Sequence, residues 1–386
     1  MVRFSACYPG SDCLIVSNKL PKLQIGDLVA RLPIIQGGMG VGISLSGLAS
    51  AVAEEGGIGV ISATGIGMLE PDFASDCKAA NERALRREIK IARRKTSGII
   101  GVNILVALTD FDDLLRVAVE EEVDMVVLGA GLPLRVPEEV FDSSGRKTVK
   151  VAPVVSSGRA ADLIFRYWSR NYRHIPDALI VEGPLAGGHL GFKSDQITDP
   201  AYSLEKIFPD VLAAVAPYAR EYGKEIPVIA AGGIYTGGDI RKMLSLGASG
   251  VQMGTRFVTT DECDASDEFK QAYINCRNED IVIINSPVGL PGRAIRNQFL
   301  DDVVAGTKHP FTCPWKCLKT CDYTAAPYCI SLALTRAKNG QIDRGFAFAG
   351  ANAWRAENIF SVRDVFNNLV EEYNSDVESF SGTDIR

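Results

Sequence analysis

The chain has 386 residues, 46% of them hydrophobic and 23% charged, which is ordinary globular composition and enough for one large domain with an appendage or for two domains. Its formal net charge of -6 and isoelectric point near 5.4 speak against a general nucleic-acid binder; the basic clusters Arg83, Arg86, Arg87 and Arg93, Arg94, Lys95 read as the solvated face of one helix. No apolar run approaches the roughly 20 residues that span a bilayer and no charged-then-apolar leader opens the sequence, so a cytoplasmic protein with no membrane partner is expected.

Residues 1–22 carry two cysteines and no periodicity, and are expected to form an extension. Pro33 to Gln36 predicts a short strand ended by Gly37 and Gly38, Ser46 to Glu54 a small-residue helix, and Gly57 to Ser62 a second strand. The alternation continues with a charged helix from about Pro71 to Lys95, a strand Ile99 to Leu105, a helix Asp110 to Glu121 and a strand Asp124 to Leu128. The second half predicts strands at Val149–Val155, Ala178–Val181, Pro227–Ala231 and Gly250–Met253, with helices at Gly158–Tyr167, Ser203–Glu221 and Gly237–Leu246 between them.

Eight apolar strands, each followed by a helix or helical loop, fit an α/β fold of the (β/α)8 TIM-barrel type, because near-continuous Val/Ile runs mean burial on both faces. An open Rossmann-like sheet is the alternative, but its glycine fingerprint occurs only in the shifted form Gly38 to Gly42 and no acidic residue ends the second strand. The expected organisation is a barrel of residues 23–258 closed by 345–374, an inserted, mainly helical, cysteine-rich lid at 259–344 after the eighth strand, and a tail at 375–386.

Loops after barrel strands gather at one face, so function is sought at strand C-terminal ends. The richest is the stretch Ala178 to Phe192, in which a buried strand, Ala178 to Val181, is followed by Glu182 and a glycine-rich loop with the turn Ala186, Gly187, Gly188, His189. Glycine pairs let backbone approach a flat ligand closely, and an imidazole held there has the layout of a catalytic base. A histidine that only caps its loop is the alternative. Gly232 and Gly233 end one strand, and Gln252, Met253, Gly254 and Thr255 end the next, a spacing that suits a phosphate cradle. Asn103, inside an apolar strand, needs partners for its amide: either a heterocycle with imide edges or a core hydrogen bond to backbone.

These pieces together resemble a known family. Gln36-Gly-Gly-Met39, Gly101-Val-Asn103, Ala186-Gly-Gly-His-Leu-Gly191, Ala231-Gly-Gly-Ile234 and Gln252-Met-Gly-Thr-Arg256 are similar, in order and spacing, to the flavin-dependent nitronate monooxygenases and their relatives the flavin-dependent enoyl-acyl-carrier-protein reductases. Pro291 to Asn297 and Gly345 to Gly350 resemble that family's lid and closing segment. The resemblance implies FMN across the barrel mouth, with Gly37, Gly38, Met39 and Asn103 near its ring and Glu182 and Ala186 to Gly188 alongside. It puts the phosphate at Gly232, Gly233, Gly254 and Thr255, and makes His189 the base. One departure is Leu185, where many relatives are acidic.

The implied activity is oxidation of alkyl nitronates or nitroalkanes, with a small-molecule substrate and dioxygen as partners. An NAD(P)H-dependent enoyl or quinone reductase is the alternative, and a non-catalytic flavin- or cluster-binding accessory protein is an alternative of another class; homo-oligomer formation is left open.

Of nine cysteines, Cys7, Cys13, Cys77, Cys263 and Cys276 are scattered without metal-ligand spacing, as free thiols in a reducing compartment would be. Cys313, Cys317 and Cys321 have a spacing that would place them near one helix face, with Cys329 as a fourth soft ligand for zinc or an iron-sulfur cluster. The spacing is not a common metal pattern and Pro314 interrupts a helix, so no metal ligands are assigned and free thiols packing the lid are expected.

Overall fold

The computed structural model describes residues 19–141, 149–307, 309, 311–313 and 315–381, the last six of these by backbone alone. In chain order its strands are β1 Leu23–Ile25, β2 Leu28–Ala30, β3 Ile34–Gln36, β4 Ile58–Ser62, β5 Ile99–Leu105, β6 Met125–Gly129, β7 Lys150–Val155, β8 Leu179–Glu182, β9 Gly188–His189, β10 Val228–Ala231, β11 Gly250–Met253, β12 Ile281–Asn285 and β13 Pro291–Ile295. The helices are α1 Ser46–Glu54, α2 Cys77–Lys95, α3 Phe111–Glu120, α4 Gly158–Tyr172, α5 Leu204–Tyr222, α6 Gly237–Ser245, α7 Thr255–Val258, α8 Asp267–Ile274, α9 Gln298–Val304, α10 Ile330–Lys338 and α11 Val362–Ser381.

Strands β3, β4, β5, β6, β7, β8, β10 and β11 pair in parallel and close on themselves, β11 returning to β3 through Val251↔Ile34. This is a (β/α)8 barrel. Side chains alternate between two buried environments. Ile35, Val60, Met125, Val127, Ile180 and Ile229 fill the inside, while Ile34, Ile61, Val126, Leu128 and Ala230 face the helices. That is why the strands read as unbroken apolar runs. The hairpin β1–β2, which the sequence reading did not pick out, sends Leu23, Ile25, Leu28 and Ala30 into the inner cluster and plugs one end of the barrel.

The helix expected from Pro71 starts later, at Cys77. The Asp76 side chain accepts the Ala79 amide at 3.1 Å and caps it there. Between β6 and β7 the described residues hold only the 3-10 turn Glu138–Val140. The outer helix that follows the eighth strand, α11, comes only after the insertion and packs Val362, Val365, Phe366, Leu369 and Tyr373 into the outer core.

The insertion holds α8, α9 and α10, and also a hairpin. β12 and β13 pair antiparallel around a turn closed by Ser286 N donating to Leu290 O at 3.1 Å, with Gly289 at φ 82°. The three thiols share no helix: among the described residues 311–313 and 315–321 there is only a turn at 319–320 and the isolated bridge Leu108↔Leu318, and the next helix begins at Ile330, behind Cys329. Pro314, residues 1–18 with Cys7 and Cys13, and residues 382–386 lie outside the described residues. Among the described residues no helix is long and apolar enough to cross a membrane.

The plug makes a testable difference between neighbours on one hairpin. Ile25 is 1% exposed and Val29 50%. Ile25→Ala is expected to lower unfolding free energy by about 2–5 kcal/mol and Val29→Ala by less than about 0.5, read by denaturant titration. Equal losses would remove the plug's role.

Candidate active site

At the C-terminal ends of the barrel strands lies a cavity of about 740 Å³. Its wall brings together Gly37, Gly38 and Met39 after β3, Asn103 in β5, Glu182 at the end of β8 and Ala186, Gly187, Gly188 and His189 beyond it. Gly232 and Gly233 after β10, and Gln252, Met253, Gly254 and Thr255 around the end of β11, complete the set. His174 packs on Phe141 and His309 stacks on Phe299, both away from this wall.

His189 is held by three devices. Its backbone is the two-residue strand β9, paired with the insertion hairpin through Gly292↔His189. Its Nε2 lies 2.7 Å from Ser286 Oγ, and Phe348 stands edge-on to the ring at 5.0 Å. Burial pulls its pKa down to about 4, so the imidazole is neutral at neutral pH. The same burial drives Glu182 up to about 7, with no compensating partner. A neutral histidine and a carboxyl that still carries a proton much of the time near neutral pH therefore share a cavity.

Sequence reasoning missed the residues that hold this turn from outside. Arg293 in β13 is buried, and its Nη1 donates to Pro184 O and Ala186 O, each at 2.6 Å; with no carboxylate beside it, burial lowers its pKa to about 10. Segment 347–352 then straps the site shut. Ala349 N donates to Arg293 O, Ala351 N to Leu185 O, Gly350 N to Thr255 Oγ1 and Asn352 Nδ2 to Gly233 O. Ser286, Arg293 and Asn352 stand far from any barrel-strand end in sequence; the resemblance had marked Pro291–Asn297 and Gly345–Gly350 without giving these residues a role, and the turn signal Val288-Gly-Leu-Pro-Gly292 is the further pointer to Ser286.

The expected phosphate end is narrower than foreseen. The first amides of α6 are already taken: Tyr235 N and Thr236 N by the Asp239 carboxylate, and Gly237 N by Glu372 at 2.7 Å. What remains for an anion is the pair of loops Gly232–Gly233 and Gly254–Thr255. Gly232 and Gly233 hold φ of 91° and 83°, a conformation that favours glycine. Asn103 donates to Val127 O at 3.2 Å, the core hydrogen bond that was the alternative for it, and still lines the cavity.

The wall also carries buried polar atoms without partners: Gln252 Oε1, Thr64 Oγ1 and Trp315 Nε1. Buried orphans of this kind are rare unless a ligand answers them. At Gly254 an added Cβ would meet nothing nearer than Met39 Sδ at 3.7 Å, so that backbone borders open cavity. Orphaned amide and hydroxyl groups and bare glycine backbone on one cavity wall fit a planar heterocycle carrying a phosphate.

The sequence profile of the family described as nitronate monooxygenase matches residues 23–372. The chain belongs to the nitronate monooxygenase family. The family is one of oxidoreductases. A Mycobacterium tuberculosis (strain ATCC 25618 / H37Rv) protein named (3aS,4S,5R,7aS)-5-hydroxy-7a-methyl-1-oxo-octahydro-1H-indene-4-carboxyl-CoA dehydrogenase is 27% identical over 72% of this chain and 66% of its own length. A Staphylococcus aureus (strain Newman) protein named "Probable nitronate monooxygenase" is 27% identical over 72% of this chain and 78% of its own. The chain thus spans just under two thirds of the mycobacterial relative. Among solved structures, FabK from Thermotoga maritima superposes with a TM-score of 0.70 at 30% identity, covering 91% of this chain and 95% of that one. A nitroalkane oxidase from Streptomyces ansochromogenes superposes at 0.69 and 24% identity, covering 91% and 98%, and shows the fold alone.

Two outcomes follow from this geometry. Glu182 holds its proton more tightly folded than unfolded, so its stabilisation is whole below its ordinary 4.5 and is lost as pH rises through about 7. His189 runs the other way, its contribution present above 6.5 and lost as pH falls through about 4. In ligand-free protein, Glu182→Gln is expected to raise Tm near about pH 8 and leave it unchanged near about pH 4; a shift equal at both would mean the carboxyl is not desolvated. Gly254→Val, at φ -105°, adds bulk without forcing the backbone. It is expected to keep the fold and lose bound flavin, measured by heat release and chromatography, with unchanged flavin content as the contrary result.

Proposed function

We propose that this chain is an FMN-dependent oxidoreductase that oxidises nitroalkanes or their nitronates with dioxygen. The observation that carries the reading is the neutral, buried imidazole of His189 on a glycine turn lining the same cavity as the glycine loops Gly232–Gly233 and Gly254–Thr255. One pair of glycine loops supports one phosphate, hence FMN and not FAD. Bound there, FMN supplies the electron acceptor for the substrate carbon and the route to dioxygen. The residues do the rest.

His189 Nε2 already has a partner in Ser286, so as a donor to that hydroxyl it leaves the Nδ1 lone pair free to take a proton from the carbon bearing the nitro group. Burial keeps that lone pair available at neutral pH. Gln252 Oε1 and Thr64 Oγ1 would answer polar edges of the ring, while Glu182 in its protonated form can donate to an acceptor. The strap 347–352 and hairpin β12–β13 cover the turn and keep water from the imidazole.

A second reading, reduction of an enoyl thioester or quinone with NAD(P)H, has its own support. The cavity is also lined by the apolar side chains of Met68, Phe73, Leu108, Leu318 and Leu334, which suit a larger apolar substrate. The likeness to FabK points the same way. Anaerobic reduction of the yellow protein by a nitronate, compared with reduction by NADPH or NADH, separates the two; fast reduction by pyridine nucleotide alone moves the assignment to reductase.

His189→Ala is expected to retain flavin and to lose about 10²–10⁴-fold in turnover of neutral nitroalkanes, with a much smaller loss on pre-formed nitronates that need no base. Steady-state oxygen consumption on both substrate forms reads this. Wild-type rates on both would make His189 structural, and equal losses would make it an anion-binding group.

A further inference from the structure

One motif residue beside the glycine cradle has no task in the proposed oxidation. Arg256 ends the stretch Gln252-Met-Gly-Thr-Arg256, directly after Thr255, and is only 9% exposed. Its side chain makes one hydrogen bond among the described residues, from Nη1 to Tyr235 OH at 3.4 Å, and its Cζ lies 4.8 Å from the centre of the Tyr235 ring. Nε is buried without an acceptor, and no carboxylate pairs with the group among the described residues. Burial holds the Tyr235 phenol above its ordinary range, so it stays protonated and gives Arg256 no counter-charge. A buried cation in this condition is costly unless an anion completes it.

The acids near the cradle sharpen the point. The Asp239 carboxylate accepts from Tyr235 N and Thr236 N, each at 2.9 Å, and Glu372 accepts from Gly237 N at 2.7 Å. Two carboxylates thus take the amides at the start of α6, just after Gly232 and Gly233. A phosphate on the glycine loops meets backbone dipoles on one side and the repulsion of these acids on the other. Two guanidinium groups oppose that repulsion: Arg256, and Arg355, whose Cζ lies 4.9 Å from the centre of the same Tyr235 ring. Arg355 is exposed, so water and salt screen it, whereas the field of buried Arg256 is weakened far less.

We propose that Arg256, held on Tyr235, supplies the positive charge that lets the loops Gly232–Gly233 and Gly254–Thr255 bind a phosphate monoester as its dianion. The inference rests on the proposed placement of the FMN phosphate at those loops. Arg256 is not itself on the cavity wall; its chain neighbour Thr255 and its ring contact Tyr235 are. It acts through the wall by charge, as a positioning residue, and touches no reacting atom. The charge also defines the ligand class: a flavin that carries a phosphate gains from Arg256, and the same flavin without its phosphate does not.

The test strips the full chain of flavin and titrates it with FMN and with riboflavin, which has the same ring and no phosphate, following flavin fluorescence. Wild type is expected to prefer FMN. Arg256→Gln is expected to lose about 10- to 100-fold in FMN affinity and less than about twofold in riboflavin affinity, and Arg256→Lys, which keeps the charge, to retain most of the preference. Removing an unpaired buried cation costs the empty protein nothing, so flavin-free Arg256→Gln is expected to melt no lower than flavin-free wild type. Equal losses for FMN and riboflavin, an unchanged preference for FMN, or flavin-free Arg256→Gln that fails to fold would each make the arginine structural and overturn the inference while leaving the phosphate placement in force. A wild type that binds riboflavin as tightly as FMN would instead overturn the phosphate placement itself, and the inference with it.

Discussion

The site depends on the buried guanidinium of Arg293. Among the described residues no carboxylate pairs with it, and it donates to two carbonyls of the turn that precedes His189. An isolated buried charge is costly, and the fold accepts the cost because those two hydrogen bonds lock Pro184 to Ala186 against β13. From the same strand, Gly292 pairs with His189 and Ala294 bridges Phe348. One strand of the insertion thus fixes the imidazole's backbone, the turn before it and the strap over it. The barrel supplies a floor of glycine loops, and the insertion supplies the geometry that makes a histidine on those loops a defined group.

Burial is the common cause of the site's acid–base character. It penalises whichever form is charged, so it lowers His189 and raises Glu182 without either needing a neighbour. The hydrogen-bond partner of His189 is a hydroxyl, Ser286, and not a carboxylate. A carboxylate there would raise the imidazole pKa and fill the lone pair at neutral pH; a hydroxyl orients the ring without adding charge. Tyr273, whose OH donates to Phe348 O, holds the opposite side of the strap in the same uncharged way.

Most of the barrel was legible because parallel strands buried on both faces carry an unbroken apolar signal, and Ile99–Leu105 and Gly250–Met253 were placed to the residue. Strand ends were legible for a second reason: the glycines there have conformations or close approaches that other residues resist, as at Gly38, where a Cβ would collide with Asn103. What was not legible is what joins distant segments. β12 has a mixed burial pattern, intermediate at Ile281, Val282 and Ile284 and exposed at Ile283, so its apolar run did not stand out as a barrel strand would, and its partner β13 begins with Pro-Gly. Cysteine spacing carried little because the helix on which it could be projected, already broken by Pro314 in the sequence, is absent among the described residues 311–313 and 315–321.

Leu185 shows how one departure from the family's pattern redistributes the site. Its side chain lies against Gly233, where an added Cβ would approach Leu185 Cβ to 2.8 Å, and its carbonyl accepts from Ala351. The position therefore sits between the glycine cradle and the strap, 47% exposed, on the cavity wall. An acidic side chain there would bring a negative charge beside a cradle built for an anion and within reach of the His189 turn, and would draw a proton toward the imidazole. Leucine removes that charge and extends the apolar surface continued by Leu290 and Val288. With no carboxylate at 185, the only acid on the cavity wall among the described residues is Glu182, whose pKa burial raises to about 7, so that a large share of it is protonated near neutral pH. The substrate side of this cavity is then apolar and uncharged apart from the substrate itself, an environment in which an incoming anion or polarised carbonyl is oriented by the neutral donors around it and not by a fixed negative charge.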